Sequence, residues 1–327
     1  MARKFDRTIL ITGGTAGLGY HSAVNIAQKY PSDQIIIASR SEPHNSSAAS
    51  INQLLGQNNV SYMRLDLSNL NQIRSFAADW EKNEYPPIAA LVLNAGLEFP
   101  NGVTYTSDGF ESTFAINHIG HALLFSLLYP YLADDARVVV TSSGTHDPAQ
   151  KTGLPDAKYT TAEELAHPTP ETAKNAGRQR YATSKLANVL WTYALHRRFT
   201  CVNTEQNKNL TVTAFDPGLM PGTGLAREES SIGRFLWNRV LPKMLPVLRF
   251  LLSPNIHRPE ESGANLARLA IGDDVKGESG VYYEGKKKIK SSKDSYDEKK
   301  QEDLWHWTVT TVARNEEERK KFEIAKL

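Results

Sequence analysis

An apolar run, Thr8-Ile9-Leu10-Ile11, leads into Thr12-Gly13-Gly14-Thr15-Ala16-Gly17-Leu18-Gly19 and then into Tyr20-His21-Ser22-Ala23-Val24-Asn25-Ile26-Ala27. Strand, glycine turn and helix in that order constrain the fold more than any other stretch. Glycines in such a turn let backbone N–H groups and the positive end of the helix approach a pyrophosphate that Cβ atoms would hold off. Further short apolar runs follow at Gln34–Ala38, Ser61–Leu65, Ala89–Leu93, Arg137–Val140, Leu210–Phe215 and Val281–Tyr283, separated by helix-length segments. This rhythm predicts an α/β fold, a doubly wound sheet of about seven mostly parallel strands with helices on both faces. Continuous apolar strands such as Val138-Val139-Val140 suit a sheet covered on both sides.

The 327 residues, 40% hydrophobic and 23% charged, are ample for a sizeable core. Length alone permits two domains, but the candidate motifs interleave along one alternating pattern, so residues 1–327 read as a single domain. A formal net charge of +2, with the Lys/Arg clusters offset by nearby acids, argues against a nucleic-acid partner. The single Cys201 makes no internal disulfide, and the short polar start Met1–Arg7 is no signal peptide, so a cytoplasmic location is expected. Residues 285–303, rich in Lys, Glu, Asp and Ser, read as a charged surface segment, solvated or partly mobile.

Tyr181-Ala182-Thr183-Ser184-Lys185 places a phenol and an ammonium at i and i+4, on one face if the stretch is helical. A phenol titrates near pH ~10 in isolation, and a neighbouring cation favours phenolate, which makes such a tyrosine a useful proton donor or acceptor. Alone, the pair is equally a Tyr packed on a Lys stem at a helix surface. The glycine turn far upstream gives it weight.

The spacing of Gly13, Gly17 and Gly19, looser than G-x-G-x-x-G, resembles the TGxxxGxG loop of the short-chain dehydrogenase/reductase family. That family also carries an NAG strand end, a catalytic Asn, a Ser ahead of a YxxxK pair, and a PG motif. The chain has Asn94-Ala95-Gly96, Asn117, Ser143, Tyr181 with Lys185, and Pro217-Gly218 in that order. The resemblance runs from about Thr8 to Tyr283. Leu93-Asn94-Ala95-Gly96, Ile116-Asn117-His118-Ile119-Gly120-His121, Ser184-Lys185-Leu186-Ala187-Asn188 and His196-Arg197-Arg198-Phe199 are similar to the retinol-dehydrogenase-like and protochlorophyllide-reductase-like branch. One departure is Leu219, where light-dependent protochlorophyllide reductases have a Cys after the PG pair, and it argues against pigment photoreduction.

The resemblance implies a single Rossmann-type domain and a catalytic set of Asn117, Ser143, Tyr181 and Lys185. It implies cofactor contacts from Thr12, Gly13, Thr15, Gly17, Leu18 and Gly19 of the loop, from Asp66 and Leu67 near the adenine, and from Asn94, Ala95 and Gly96 near the ribose. Tyr181 and Lys185 would also touch the cofactor, and Pro217, Gly218 and Thr223 would close over the nicotinamide. Asn117 would hold a water that links Lys185 to solvent. Where NAD-preferring enzymes keep an acid at the end of the second strand, this chain has Ser39-Arg40. Ser39 leaves room for a 2′-phosphate and Arg40 offers it a fork of charge-assisted hydrogen bonds, so NADP(H) is the expected cofactor; an Arg pointing to water is the alternative. Period-two alternation puts Ser142 and Ser143 on opposite faces, and the resemblance favours Ser143. Hydride would pass to an electrophilic carbon while Tyr181 protonates the oxyanion and Ser143 hydrogen-bonds it.

Two segments are expected to shape the substrate pocket, the connection from His146 to Arg180 and the stretch 219–256, read as a substrate lid. Within the latter, Ile232–Leu252 is strongly apolar but interrupted by Arg234, Arg239, Lys243, Arg249 and two prolines, which argues against a membrane span. It could be a lid over an apolar substrate, a peripheral membrane contact, or core and homo-oligomer packing. His118, His121 and His146 offer no ligand set with metal spacing, and no metal is expected. The leading reading is an NADPH-dependent reductase of a bulky apolar ketone or aldehyde, or the reverse alcohol oxidation. A biosynthetic step on a polyketide, terpenoid or steroid fits, as does detoxification of lipid aldehydes. Reduction of a conjugated C=C bond is a second reading, and a non-catalytic NADP(H)-sensing regulator a third.

Overall fold

The structure, a computed structural model, describes residues 5–42, 46–223, 231–251 and 253–325. Among these, eight strands form one sheet in the order β3-β2-β1-β4-β5-β6-β7-β8. They are β1 (Thr8–Thr12), β2 (Gln34–Ser39), β3 (Val60–Arg64), β4 (Ile88–Leu93), β5 (Leu132–Thr141), β6 (Thr211–Asp216), β7 (Val281–Glu284) and β8 (Lys287–Ile289). Strands β1 to β7 pair in parallel and β8 runs antiparallel to β7. The order reverses between β1 and β4, and the crevice beyond the carboxyl ends of those strands is where a ligand binds in sheets of this kind.

The labelled helices are α1 (Gly17–Lys29), α2 (Ser47–Leu55), α3 (Leu70–Lys82), α4 (Gly120–Leu128), α5 (Gly177–Gln206), α6 (Leu245–Leu251), α7 (Pro259–Ile271) and α8 (Glu298–Val312). Strand alternation divides the core in two. Leu10, Ile36, Leu91, Val138 and Val140 face α3, α4, α5 and α8 on one side. Ile9, Ile11, Ile35, Ile37, Val92 and Val139 face Ala23 and Ile26 of α1 and Leu266 and Leu269 of α7 on the other. These strand residues are at most 1–3% exposed, each stabilising the fold by roughly 1.5–3 kcal/mol.

Two differences from the sequence reading have simple causes. Strand β5 begins at Leu132, well ahead of the apolar run at Arg137, because Asp134 and Asp135 stand exposed at the sheet's end where charge costs little. The stretch 285–303 is not a solvated loop throughout. It holds the Lys-rich edge strand β8, whose charges discourage further pairing, and the start of α8. Ser291, Ser292 and Ser295 between them, and Gln301 in α8, are buried. Tyr193 and Ser295 bond the Ser291 hydroxyl at 2.6 and 2.7 Å, and Gln301 donates to the Ser295 carbonyl, so low hydropathy did not mean exposure.

Candidate active site

All the sequence-predicted site residues lie just past, or close to, the carboxyl ends of β1 to β6, apart from those that α5 and the helical turn at Asn117 bring to the same edge. The loop after β1 has the geometry a pyrophosphate needs. Gly13 has φ +67°, which favours glycine, and a Cβ on Gly19 would lie 2.4 Å from the Gly13 carbonyl oxygen. The α1 N-cap, Ala16, has no side-chain acceptor for the first N–H groups of the helix, which leaves them for an anion. Leu18 is buried beneath the loop, and Thr15 donates to the Ser39 hydroxyl at 3.0 Å, tying the loop to the end of β2. Arg40 follows, exposed.

Thr12 Oγ1 accepts the N–H groups of Asn94 (2.8 Å) and Ala95 (3.0 Å), and Asn94 Nδ2 donates to the Thr12 carbonyl, so the ends of β1 and β4 are clamped together. Asp66 accepts from the amide and hydroxyl of Ser68, and Leu67 is buried. Gly96 sits where a Cβ would be 3.3 Å from Lys185 Nζ and 3.4 Å from Asn117 Oδ1. Beyond β6, a Cβ on Gly17 would lie 3.8 Å from Thr223 Cγ2, so the loop after Pro217-Gly218 comes back against the glycine turn.

The helix α5 presents Tyr181 and Lys185 on one face, both buried, with the Lys185 ammonium 5.5 Å from the phenol ring centroid. The Ser143 side chain lies beside the Tyr181 phenol, and Lys185 Nζ donates to the Thr141 carbonyl at 3.2 Å. Ser142 points the other way and donates to the Lys185 carbonyl at 2.8 Å. Burial, together with the carboxylates of Glu98 and Asp216, pushes the Tyr181 phenol up, while the polar Ser143 side chain beside it pulls it down. Burial therefore outweighs the acidifying effect expected of Lys185, and the phenol is a neutral proton donor at pH 7. Lys185 itself is lowered to about 8 by burial, which Asp216 opposes.

Asn117 lies in a π-helical turn, Ala115–Ile119, a local irregularity frequent at functional sites. Its side chain accepts from Leu97 N (2.9 Å) and donates to the Leu97 carbonyl and to Ser184 Oγ (each 3.0 Å). Its carbonyl faces His121 Nδ1 at 3.2 Å. A carbonyl only accepts, so Nδ1 carries the proton and Nε2 accepts from Thr12 Oγ1 at 2.9 Å. Burial lowers His121 to about 4, which keeps it neutral.

A family model described as short chain dehydrogenase matches residues 7–155, and one described as AcuH dehydrogenase domain matches residues 227–320. The chain is 30% identical to the polyprenol dehydrogenase of Homo sapiens over 307 residues, 92% of this chain and 83% of that one. It belongs to the short-chain dehydrogenase family. Retinol dehydrogenase 13 of Homo sapiens is 30% identical over 303 residues, 91% of this chain and 82% of the relative. An NADPH-bound carbonyl reductase from chicken fatty liver shares the fold at a TM-score of 0.56 and 17% identity, covering 88% of this chain and 99% of that one.

In this short-chain dehydrogenase two further buried residues, neither expected in the site from the sequence, hold its loops. Asp216, 1% exposed at the end of β6, accepts from Gly218 N (2.9 Å), Asn255 Nδ2 (2.8 Å) and the Gly144 amide. One carboxylate thus joins the serine loop, the PG loop and the segment before α7. Burial raises it to about 6 against the pull of those three hydrogen bonds. His146, fully buried, donates from Nδ1 to the Ser143 carbonyl (2.7 Å) and accepts the Ser292 amide at Nε2 (3.0 Å), which braces the serine loop from the far edge of the sheet. An acid directly before the PG pair was the one readable signal for Asp216. Ser143→Ala is expected to lower kcat at least tenfold with cofactor affinity kept, whereas Ser142→Ala should cost about 1 kcal/mol of stability and spare kcat. Steady-state kinetics beside urea unfolding check both, and equal kcat losses would sink the assignment.

Proposed function

We propose that this oxidoreductase uses NADPH to reduce the carbonyl of a bulky apolar ketone or aldehyde, or runs the reverse alcohol oxidation. The observation that carries the reading is the buried Tyr181 phenol, beside Ser143 and with the Lys185 ammonium 5.5 Å from its ring, at the strand ends that also hold the glycine loop. The cofactor, when bound, supplies the hydride. Tyr181 holds the proton that the developing oxyanion takes, and Ser143 orients that oxygen. Lys185 keeps a cation beside them, and Asp216 steadies the loops on either side. An apolar substrate is supported by the names of the polyprenol and retinol dehydrogenase relatives and by the apolar stretch 219–256, which we read as a lid. Trp237 Nε1 donates to the Thr223 carbonyl at 3.0 Å and Leu219 bridges to Ile256, which anchors that lid beside the PG loop.

NADP(H) preference rests on the end of β2, where neutral Ser39 and exposed Arg40 replace the acid that would repel a 2′-phosphate. Arg40→Ala is expected to weaken NADPH binding about 10- to 100-fold, the worth of a charge-assisted contact, and to leave NADH binding unchanged. Fluorescence titration with both cofactors checks this, and equal losses would remove Arg40 from the phosphate. NADPH consumption against apolar ketones, aldehydes and enones, with products identified by mass and NMR, tests the reaction. Turnover of carbonyls is the expected result; turnover of enones alone, with saturated products, would replace it.

A further inference from the structure

Among the described residues ten large apolar side chains stand exposed, and seven of them lie between Leu219 and Leu251. The helix α6 is amphipathic in the wrong sense for a surface helix. Leu245 is buried, while Val247, Phe250 and Leu251, at i, i+3 and i+4, form an outward stripe, with Phe250 89% and Leu251 68% exposed. Phe235, Leu236 and Met244 extend the exposed apolar surface through the turns before it. Exposed apolar side chains concentrated in one segment mark a docking surface.

Its charge says what docks. Residues 231–251 contain Arg234, Arg239, Lys243 and Arg249 and no Asp or Glu, in a chain with 36 acids. Arg249 is engaged by the Ile256 carbonyl and Glu261, but Arg239 and Lys243 are exposed and form no ion pair among the described residues. We infer that this face rests on an anionic lipid bilayer, with Val247, Phe250 and Leu251 below the headgroups and Arg239 and Lys243 among the phosphates. Long cationic stems beside an apolar stripe suit that boundary. A second copy suits it poorly, because a two-fold contact through this patch sets Arg239 and Lys243 against their own copies, and residues 231–251 contain no Asp or Glu to pair them. Leu219, exposed and next to Gly218, pairs with Ile256, whose carbonyl Arg249 of α6 bonds, so the PG loop lies beside this face and a substrate dissolved in the bilayer reaches the site from the membrane side. That last step rests on the apolar-substrate reading; the membrane contact does not.

Co-sedimentation of the full chain with vesicles of phosphatidylcholine alone and of phosphatidylcholine mixed with phosphatidylserine tests the contact without turnover. Binding is expected to the mixed vesicles and to weaken with added salt. R239E with K243E should lower the partition coefficient roughly tenfold or more, and Phe250→Ser with Leu251→Ser by a similar factor, at unchanged thermal midpoints. Absence of wild-type binding, or equal binding to both vesicle types, overturns the proposal whatever the variants do. So does light scattering that shows a dimer which Phe250→Ser with Leu251→Ser dissolves. Membrane binding without carbonyl turnover would leave the contact standing and remove the substrate reading.

Discussion

Tyr181→Phe is expected to lower kcat by roughly 10²–10⁴-fold with NADPH affinity kept, because the variant loses the proton donor and nothing else of the side chain. The phenol is buried beside Ser143, whose own proton is far less acidic and does not replace it. The pH profile should separate the roles of the pair. Burial holds the phenol neutral through the working range, whereas Lys185, lowered to about 8, loses its cation above that pH. The reduction rate should therefore fall above about pH 8, from Lys185 and not from the phenol. Asp216→Asn, which removes the carboxylate opposing that shift, should move the limb to lower pH. A variant with most of its activity, or a limb that does not move, would assign the proton elsewhere. The same Lys185 shift has a sign for stability. A lysine lowered on folding favours the unfolded chain below pH 8, and that cost is relieved between pH 8 and its ordinary value.

Glu111→Ala is expected to destabilise the fold by about 3–5 kcal/mol, the cost of leaving a buried charge without its partner. Glu111 and Arg180 have side chains only 2% and 8% exposed and meet at 3.3 Å. Glu111 also accepts the Phe114 amide at 2.7 Å as the cap of the short helix ahead of Asn117, and Arg180 donates to the Asn175 and Asn101 carbonyls at 2.6 and 2.7 Å. Burial raises the Glu111 carboxyl in spite of these partners, so the pair is held by its hydrogen bonds as much as by its charges. It fastens the loop before Asn117 to the residue next to Tyr181, and activity should fall with stability. Urea unfolding of Glu111→Ala, Arg180→Met and the double variant checks this: the double variant should lose less than the sum of the singles, and strict additivity would show that the two do not act as a pair.

Much of the fold was legible because its signals are local. Seven apolar runs became seven parallel strands, since the central strands, covered on both faces, are apolar along most of their length. Strand β8 was missed because three residues, two of them exposed lysines, carry no burial signal and pair only because β7 offers an open edge. The glycine loop and the Tyr181–Lys185 pair were legible for a similar reason, as each is chemistry placed at fixed spacing on one local element. The braces around them were not. His146 meets Ser292 and Arg180 meets Glu111 across 146 and 69 residues of chain, and Asp216 joins loops from three separate places.

The sequence by itself determined the doubly wound sheet, the glycine turn, the phenol–ammonium pair and the family. Residue type and short-range spacing suffice where a backbone must approach closely or a helix face must carry two groups. Only the tertiary structure decided that burial and not Lys185 sets the phenol's proton, and that Asp216 holds the loops together. Burial and long-range hydrogen bonding arise only once distant segments are packed, and those are the terms that set orientation and charge in the site.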